Sequence, residues 1–116
     1  MSHLKVFNQT KNIQLCSVCK VAQSDRERMR GLLDRTSLQA GEGLLILKCD
    51  SVHTIGMNFP IDVLYLGNNG TVLTRALGLQ PGARKAKFAG ANSVLELPSG
   101  GALSTQVGDI LTFQRL

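Results

Sequence analysis

The segment CDSVHTIGMNFPIDVLYL, residues 49–66, places a cysteine, a histidine and two aspartates within an otherwise apolar stretch. Cys49 and His53 could act as a nucleophile and its base, because acyl transfer by a cysteine needs a thiolate and a nearby imidazole promotes its formation. The segment has no recognisable nucleophile turn, however, and a cysteine at the end of an apolar strand commonly packs as a small hydrophobic residue. A hydrolase or transferase that uses His53 with Cys49 or a carboxylate is therefore an alternative to a binding function.

Two carboxylates are expected to be buried within strands. In its predicted strand, Asp62 shares a face with Leu64 and Leu66, while Glu96 stands between two leucines in another apolar run. Burying an unpaired carboxylate is costly, so each of these groups needs a counter-charge or hydrogen-bond donors.

These polar residues could anchor loops or could form one pocket. As an anchor, Asp62 would bind the Arg30 or His53 side chain, and the backbone amides of residues 50–58 are further expected donors. In a pocket, the two carboxylates would hold His53 in one tautomer while Arg30 binds an anion. The pocket interpretation predicts a non-enzymatic binding or accessory module with a small anionic ligand or a protein partner. Its candidate residues are Arg30, Cys49, His53, Thr54, Met57, Asp62 and Glu96.

A zinc site is a further alternative, because Cys16, Cys19, Cys49 and His53 would make a suitable ligand set. A regular strand through residues 13–21 would point Cys16 and Cys19 to opposite faces, so they could not share a metal. The same geometry argues against a redox pair, and no glycine-rich phosphate loop is present. We therefore predict no metal site and no cofactor.

The charge of the chain suggests a third function class. Thirteen Lys and Arg against eight Asp and Glu give a net charge of +5, which attracts phosphates and other anions. The candidate anion-binding residues are Arg26, Arg84, Lys85 and Lys87. With no Trp and one Tyr, the chain lacks the interleaved aromatic residues on which single-stranded nucleic acids stack. Nucleic acid is therefore a disfavoured partner.

Length and hydropathy bound the organisation of the protein. The 116 residues fit a single domain, residues 1–116, and no apolar run approaches the ~20 residues that cross a bilayer. The first 12 residues lack the basic and then apolar order of a signal peptide, and three cysteines cannot all pair within one chain. We expect a cytoplasmic protein.

One short helix is predicted over residues 24–35. Ser24 and Glu27 have the spacing of a capping box, in which each side chain accepts a hydrogen bond from a backbone amide of the first turn. Met29 is expected in a buried stripe with the two following leucines. Gly31 indicates either close packing against another backbone or an early end of the helix.

The remaining pattern predicts about seven short strands. Two strands share the first 22 residues, a central strand covers residues 44–49, and a hairpin turns at Asn69 and Gly70. Two more strands follow near residues 93–97 and 109–116. Together with the helix they predict a mainly β (α+β) fold, an antiparallel β-sandwich or partly closed barrel.

Several motifs, in order, give the chain a family resemblance. RGLLDR, GEGLLIL, CDSVHTIGMNFPIDVLYL, VLELPSGGA and GDIL, between about residues 20 and 113, resemble domain of unknown function family 192, DUF192. The resemblance implies a small, mainly β, bacterial or archaeal domain with one helix, and it implies no activity or cofactor. It marks as characteristic Arg30, Gly31, Cys49, His53, Thr54, Met57, Asp62, Glu96, Gly100, Gly108 and Asp109.

Overall fold

The chain folds into a curved seven-stranded sheet, a two-stranded ribbon and one helix in the computed structural model, which describes residues 3–85 and 87–116. The Lys85 side chain lies outside this description. In chain order the described elements are β1 His3–Asn8, β2 Ile13–Ala22, α1 Asp25–Arg30, β3 Glu42–Leu47, β4 Val52–His53, β5 Ile61–Leu66, β6 Val72–Leu79, β7 Arg84–Lys85, β8 Ser93–Pro98 and β9 Leu111–Arg115.

The large sheet has the strand order β6-β5-β8-β3-β2-β1-β9, and β4 pairs with β7 in the ribbon. Every pair is antiparallel except β2 with β3, which is parallel. The sheet curls until a single bridge between Thr71 and Ile110 joins the start of β6 to the start of β9. The predicted mainly β fold is confirmed as a partly closed barrel, and β3 is its central strand.

Strand alternation divides the core into two layers. Inside the curl, Leu64, Leu95 and Leu45 from three neighbouring strands belong to one buried cluster. On the other face, Val63 and Ile46 pack with residues that follow the helix and with the ribbon. Because successive strand residues point to opposite faces, a polar residue in β5 or β8 is buried in one layer or the other.

The hairpin predicted at Asn69 and Gly70 is confirmed by β5 and β6. Gly70 has a φ of +83°, and a Cβ there would lie 2.4 Å from the carbonyl oxygen of Leu111. The Leu111 amide donates to the Gly70 carbonyl at 2.9 Å. Glycine is thus required both for the turn and for the close approach of β9.

The helix is shorter than predicted. The capping box forms as expected, with the Glu27 amide 3.1 Å from Ser24 Oγ and the Ser24 amide 3.2 Å from Glu27 Oε1. The helix nevertheless ends at Arg30, because Gly31 adopts a φ of +51° and starts a turn. The predicted end at residue 35 is wrong, and so is the predicted burial of Met29, which is 78% exposed.

The prediction that Cys16 and Cys19 face opposite ways is also wrong. Cys19 pairs with Leu4 and Cys16 with Val6, so three steps along β2 match two steps along β1. This bulge brings both fully buried cysteines into the interior cluster. A hydrogen bond that the Cys16 thiol donates to the Cys19 sulfur, together with burial, raises the pKa of Cys16 far above its usual range.

The third cysteine is separated from this pair. Cys49 packs against the outer cluster, on the other side of the sheet. Within residues 3–85 and 87–116 no three histidine, cysteine or acidic side chains are placed to hold a metal ion. The same residues contain no helix long and apolar enough to cross a membrane.

Candidate functional site

A cavity of about 70 Å³ lies between the outer face of the sheet and the segment from α1 to Leu33. The chain after β3 forms a further wall of the cavity, since residues 49 and 51–53 contribute to its lining. This segment leaves the sheet at Lys48, where a φ of +52° ends the strand. Five of the seven predicted pocket residues line it, namely Arg30, Cys49, His53, Met57 and Glu96.

Glu96 forms the buried end of this cavity. Its strand β8 lies between β3 and β5, and its register neighbours are Leu44 and Val63, so aliphatic side chains flank the carboxyl group on both sides. The residue is 4% exposed, and burial raises the pKa of Glu96 to about 7. No described residue donates a hydrogen bond to its carboxylate. The buried acid therefore lacks the partner that its position requires.

Cys49 stands beside this acid in its protonated form. Its thiol donates to the Ser51 carbonyl oxygen at 3.1 Å, and burial raises the pKa of Cys49. Among the described residues, no hydrogen bond joins Cys49 to His53, and His53 is exposed in β4 opposite Arg84. The geometry does not provide the thiolate and the paired base that a cysteine nucleophile requires.

A buried tyrosine adds a second polar group without a partner. The Tyr65 hydroxyl is enclosed and has no hydrogen-bond partner among the described residues. Burial first, and then the charges of Cys49, Glu96 and Asp50, raise the pKa of Tyr65 to about 12. Its ring packs against Phe88 with centroids 6.2 Å apart. Tyr65 belongs to the outer cluster, on the same side of the sheet as the cavity, but it does not line the cavity.

Two arginines line the cavity from the helix. The Arg28 guanidinium contacts the Gln23 carbonyl oxygen at 2.5 Å and also the Asp25 carboxylate. Arg30 Nε lies 3.1 Å from Asp34 Oδ2, in a pair whose side chains are 63% and 67% exposed. Exposed ion pairs of this kind are weak, so both arginines can exchange their partners for a ligand.

Asp62, by contrast, belongs to the interior of the barrel. It is 1% exposed, as predicted, and accepts hydrogen bonds from the backbone amides of Gly78 at 2.8 Å, Gly100 at 3.0 Å and Ala102 at 3.0 Å. The expected partners Arg30, His53 and the amides of residues 50–58 are therefore wrong. Asp62 ties the end of β6 and the loop after β8 to β5, and it does not line the cavity.

Thr54 is likewise an anchor rather than a lining residue. Its hydroxyl donates to the Gln80 carbonyl at 2.5 Å and accepts from the Ala83 amide at 2.9 Å. The Thr54 amide also donates to the Ala83 carbonyl at 2.8 Å. These bonds fasten the ribbon that carries His53 to the loop after β6.

The motif aspartate Asp109 makes a third anchor, at the seam of the barrel, where the Thr71–Ile110 bridge joins the two ends of the sheet. Its Oδ2 accepts from Asn8 Nδ2 at 2.9 Å and from the Gln106 amide at 3.0 Å, and Lys11 Nζ lies 2.8 Å from the same oxygen. The Lys11 hydrogen bond, with those of Asn8 and Gln106, lowers the pKa of Asp109 to about 2. Gly108, beside it, has a φ of +94°.

The predicted anion-binding residues lie on different elements. Arg26 lies on α1 and lines a second groove with Lys20 and Arg35. Arg84 is in the ribbon, and Lys87 Nζ lies 3.5 Å from Asp50 Oδ2. The Lys85 side chain lies outside the described residues.

Sequence reasoning did not identify Arg28 as a cavity residue or Tyr65 as a buried group without a hydrogen-bond partner. Tyr65 alternates with Asp62 along β5, and that pattern could have placed it on the outer face. Nothing in the pattern shows that its hydroxyl lacks a partner. Arg28 resembles any helix surface arginine until the turn at Gly31 folds the chain back over the sheet.

Comparison with solved structures shows the same fold in two bacterial proteins. A protein of unknown function from Novosphingobium aromaticivorans matches with a TM-score of 0.78 and 23% identity, over 95% of this chain and 83% of that one. A "putative transcription regulator" from Sinorhizobium meliloti matches with a TM-score of 0.79 and 20% identity, over 97% and 92%. At these identities the likeness shows the fold alone.

Sequence comparison identifies the family. No curated protein matches the chain. The profile of DUF192, described as "Uncharacterized ACR, COG1430", matches residues 6–113 and so covers nearly the whole chain. The resemblance carried by the five motifs is confirmed, and the protein belongs to the DUF192 family.

Proposed function

We propose that this protein, acting as one domain, is a non-enzymatic binding module that holds a small ligand in the cavity above Glu96. One observation carries the proposal: a buried carboxyl group without a hydrogen-bond donor faces an open cavity. A group of this kind weakens the free protein, and such a cost is typical of binding sites, where a ligand supplies the missing partner.

The other polar groups support binding more than chemistry. Cys49 is a protonated thiol whose hydrogen bond goes to a backbone carbonyl, while His53 is exposed and, among the described residues, has no hydrogen bond to Cys49. A small hydrolase or transferase would need these two groups in contact, or His53 beside a carboxylate. The arginines at the cavity favour a ligand that carries an anionic group.

The proposal is tested on the intact chain, purified under native conditions. Mass spectrometry of the small molecules released on denaturation should find a compound in the wild type that is absent from a Glu96→Gln preparation. Asp62→Asn is the matched control, because that carboxylate is equally buried but does not line the cavity. The control should retain the compound wherever it folds. Equal retention by Glu96→Gln would contradict binding at this cavity.

Nucleic-acid binding is the second candidate. The net charge of +5 favours it, and one structural neighbour is described as a "putative transcription regulator". The separation of Arg26 from Arg84 and Lys87 weakens it, because backbone phosphates are bound by a continuous basic surface. A fluorescent oligonucleotide should show no salt-sensitive association at low ionic strength. Association that falls steeply with added salt would instead support this candidate.

The cytoplasm is our proposed location, because Cys16, Cys19 and Cys49 are all free thiols, which suits a reducing compartment. Fractionation of cells that express the untagged chain tests it, with recovery alongside a cytoplasmic marker as the expected result. A protein partner would be found in the same cells by native co-purification.

A further inference from the structure

We propose that the ligand of this cavity is a small zwitterion of the amino-acid type, whose ammonium group binds the Glu96 carboxylate and whose carboxylate binds Arg28 and Arg30. This inference rests on the proposed function and specifies its ligand class. Three features of the cavity carry it: its polar end, its lining on the helix side and its size.

The buried end of the cavity requires a cation. Burial raises the pKa of Glu96, and no protein charge among the described residues offsets that effect. Arg28 and Arg30 line the cavity but are engaged with acidic or carbonyl oxygens on their own segment. An ammonium group would supply both the counter-charge and up to three hydrogen-bond donors.

The helix side of the cavity favours an anion. Arg28 and Arg30 both line the cavity, and guanidinium donors match the geometry of a carboxylate. Their present partners Asp25 and Asp34 are 90% and 67% exposed, so a ligand carboxylate can replace either one at little cost. A simple amine would leave the arginines with their present partners and make no use of them, and a simple acid would leave Glu96 without a counter-charge.

The size of the cavity limits the ligand to a few heavy atoms. Sites for drug-sized molecules usually occupy about 300–1,000 Å³. A volume of about 70 Å³ admits a short backbone with its two charged groups, or the charged end of a longer molecule. The aliphatic neighbours Leu32, Ile46 and Val52 leave room for a small apolar side chain rather than a second charged one.

The charge of Glu96 should set the pH dependence of binding. The titratable or charged groups packed around it are Cys49, Asp50, His53 and Tyr65 from the sheet side and the ribbon, with Arg28 and Arg30 from the helix. Ammonium binding needs the ionised carboxylate, so affinity should fall as Glu96 gains a proton. With a pKa of about 7, affinity at pH 6 should be about tenfold lower than at pH 8.

The experiment is a set of NMR titrations of the full ¹⁵N-labelled chain at constant ionic strength. The probes are glycine, alanine and β-alanine as zwitterions, ethylamine as the amine, propionate as the acid and propanol as the neutral control. We expect one zwitterion to shift the amides of residues 30–33, 49–53 and 96, and to bind at least about tenfold more tightly than the amine or the acid.

Variants locate the effect. Glu96→Gln and the pair Arg28→Ala with Arg30→Ala should each weaken zwitterion binding by about tenfold or more. Arg26→Ala is the matched control, because it removes an arginine from the same helix that does not line this cavity. It should leave the affinity within about twofold, the reproducibility of such a titration.

The outcomes separate the two proposals. One outcome is Glu96-dependent binding of propionate or propanol with an affinity equal to or above that of the zwitterions. That result would overturn the zwitterion proposal and leave the binding-module proposal standing. Affinity that rises from pH 8 to pH 6 would do the same, since a protonated Glu96 would then donate to an anion. If none of the probes shifts any amide signal, the zwitterion proposal is overturned. The binding-module proposal is then overturned as well only if native mass spectrometry also finds no compound.

Discussion

The carboxyl groups of Asp62 and Glu96 lie on adjacent strands, one register position apart, and leave the sheet on opposite faces. Asp62 pairs with Leu97 and Glu96 pairs with Val63, so the first points into the barrel and the second toward the helix. Three backbone amides satisfy Asp62, whereas no described group satisfies Glu96. Two equally buried acids should therefore have opposite effects on the stability of the free protein.

Replacement of Asp62 should destabilise the fold. Asp62→Ala leaves the amides of Gly78, Gly100 and Ala102 without their acceptor, and the free energy of unfolding should fall by roughly 3 kcal/mol. Chemical denaturation and thermal melts measure this loss, which should lower Tm by about 10 °C. A Tm within a degree of wild type would show that the three hydrogen bonds contribute nothing.

Glu96→Gln should instead stabilise the protein above neutral pH. The pKa of Glu96 is raised from 4.5 to about 7 in the folded state, so folded protein binds more protons than unfolded protein between these values. The contribution of Glu96 to the free energy of unfolding is therefore greatest below pH 4.5, and it declines by about 3 kcal/mol as pH rises to 7. The variant should lack that decline.

Urea denaturation of wild type and Glu96→Gln at pH 5 and pH 8 tests the pH effect. The two proteins should be close in stability at pH 5, and the variant should be the more stable at pH 8. A wild-type protein that gains stability over this range, relative to the variant, would mean that a counter-charge reaches Glu96 in solution.

The seam of the barrel should depend on Asn8 and Asp109. Asn8 Nδ2 donates to Thr105 Oγ1 at 3.0 Å and to Asp109 Oδ2 at 2.9 Å, so Asn8→Ala should cost about 2 kcal/mol of unfolding free energy. Lys11→Ala is the milder comparison, because its ammonium group is partly exposed. Equal losses in the two variants would contradict a buried hydrogen-bonded lock.

The lowered pKa of Asp109 has its own pH signature. The group contributes stability above its ordinary pKa of 3.8, and that contribution is lost as pH falls toward 2. Acid unfolding monitored by circular dichroism should therefore shift to higher pH in the Asn8→Ala protein. An unchanged acid midpoint would show that Asn8 does not hold the ionised form.

Gly43 and Cys16 should be coupled through packing. A Cβ on Gly43 would lie 2.6 Å from Cys16 Sγ, so Gly43→Ala should cost about 1–3 kcal/mol through overpacking. Adding Cys16→Ala removes that sulfur, and the double variant should lose less than the sum of the two single changes. Gly67→Ala is the control, since its Cβ would meet nothing closer than 3.6 Å. Additive losses would contradict the contact.

Local signals in the sequence determined much of the fold. The capping box at Ser24, the hairpin at Gly70 and the apolar run of β3 each depend on neighbouring residues, and each is confirmed. Alternation also predicted the burial of Asp62, because the side-chain period of a strand is a property of the backbone. The DUF192 motifs identified the family from the same chain.

Tertiary structure decided which of these residues meet. The partners of Asp62 lie 16 to 40 residues away, and no local pattern encodes such separations. A bulge between β1 and β2 reversed the predicted orientation of Cys16, since one extra residue turns every later side chain to the other face. The register of β8 between β3 and β5 left Glu96 among aliphatic side chains. The turn at Gly31 placed two arginines in the lining of the same cavity as Glu96. The candidate site therefore exists only in the folded chain.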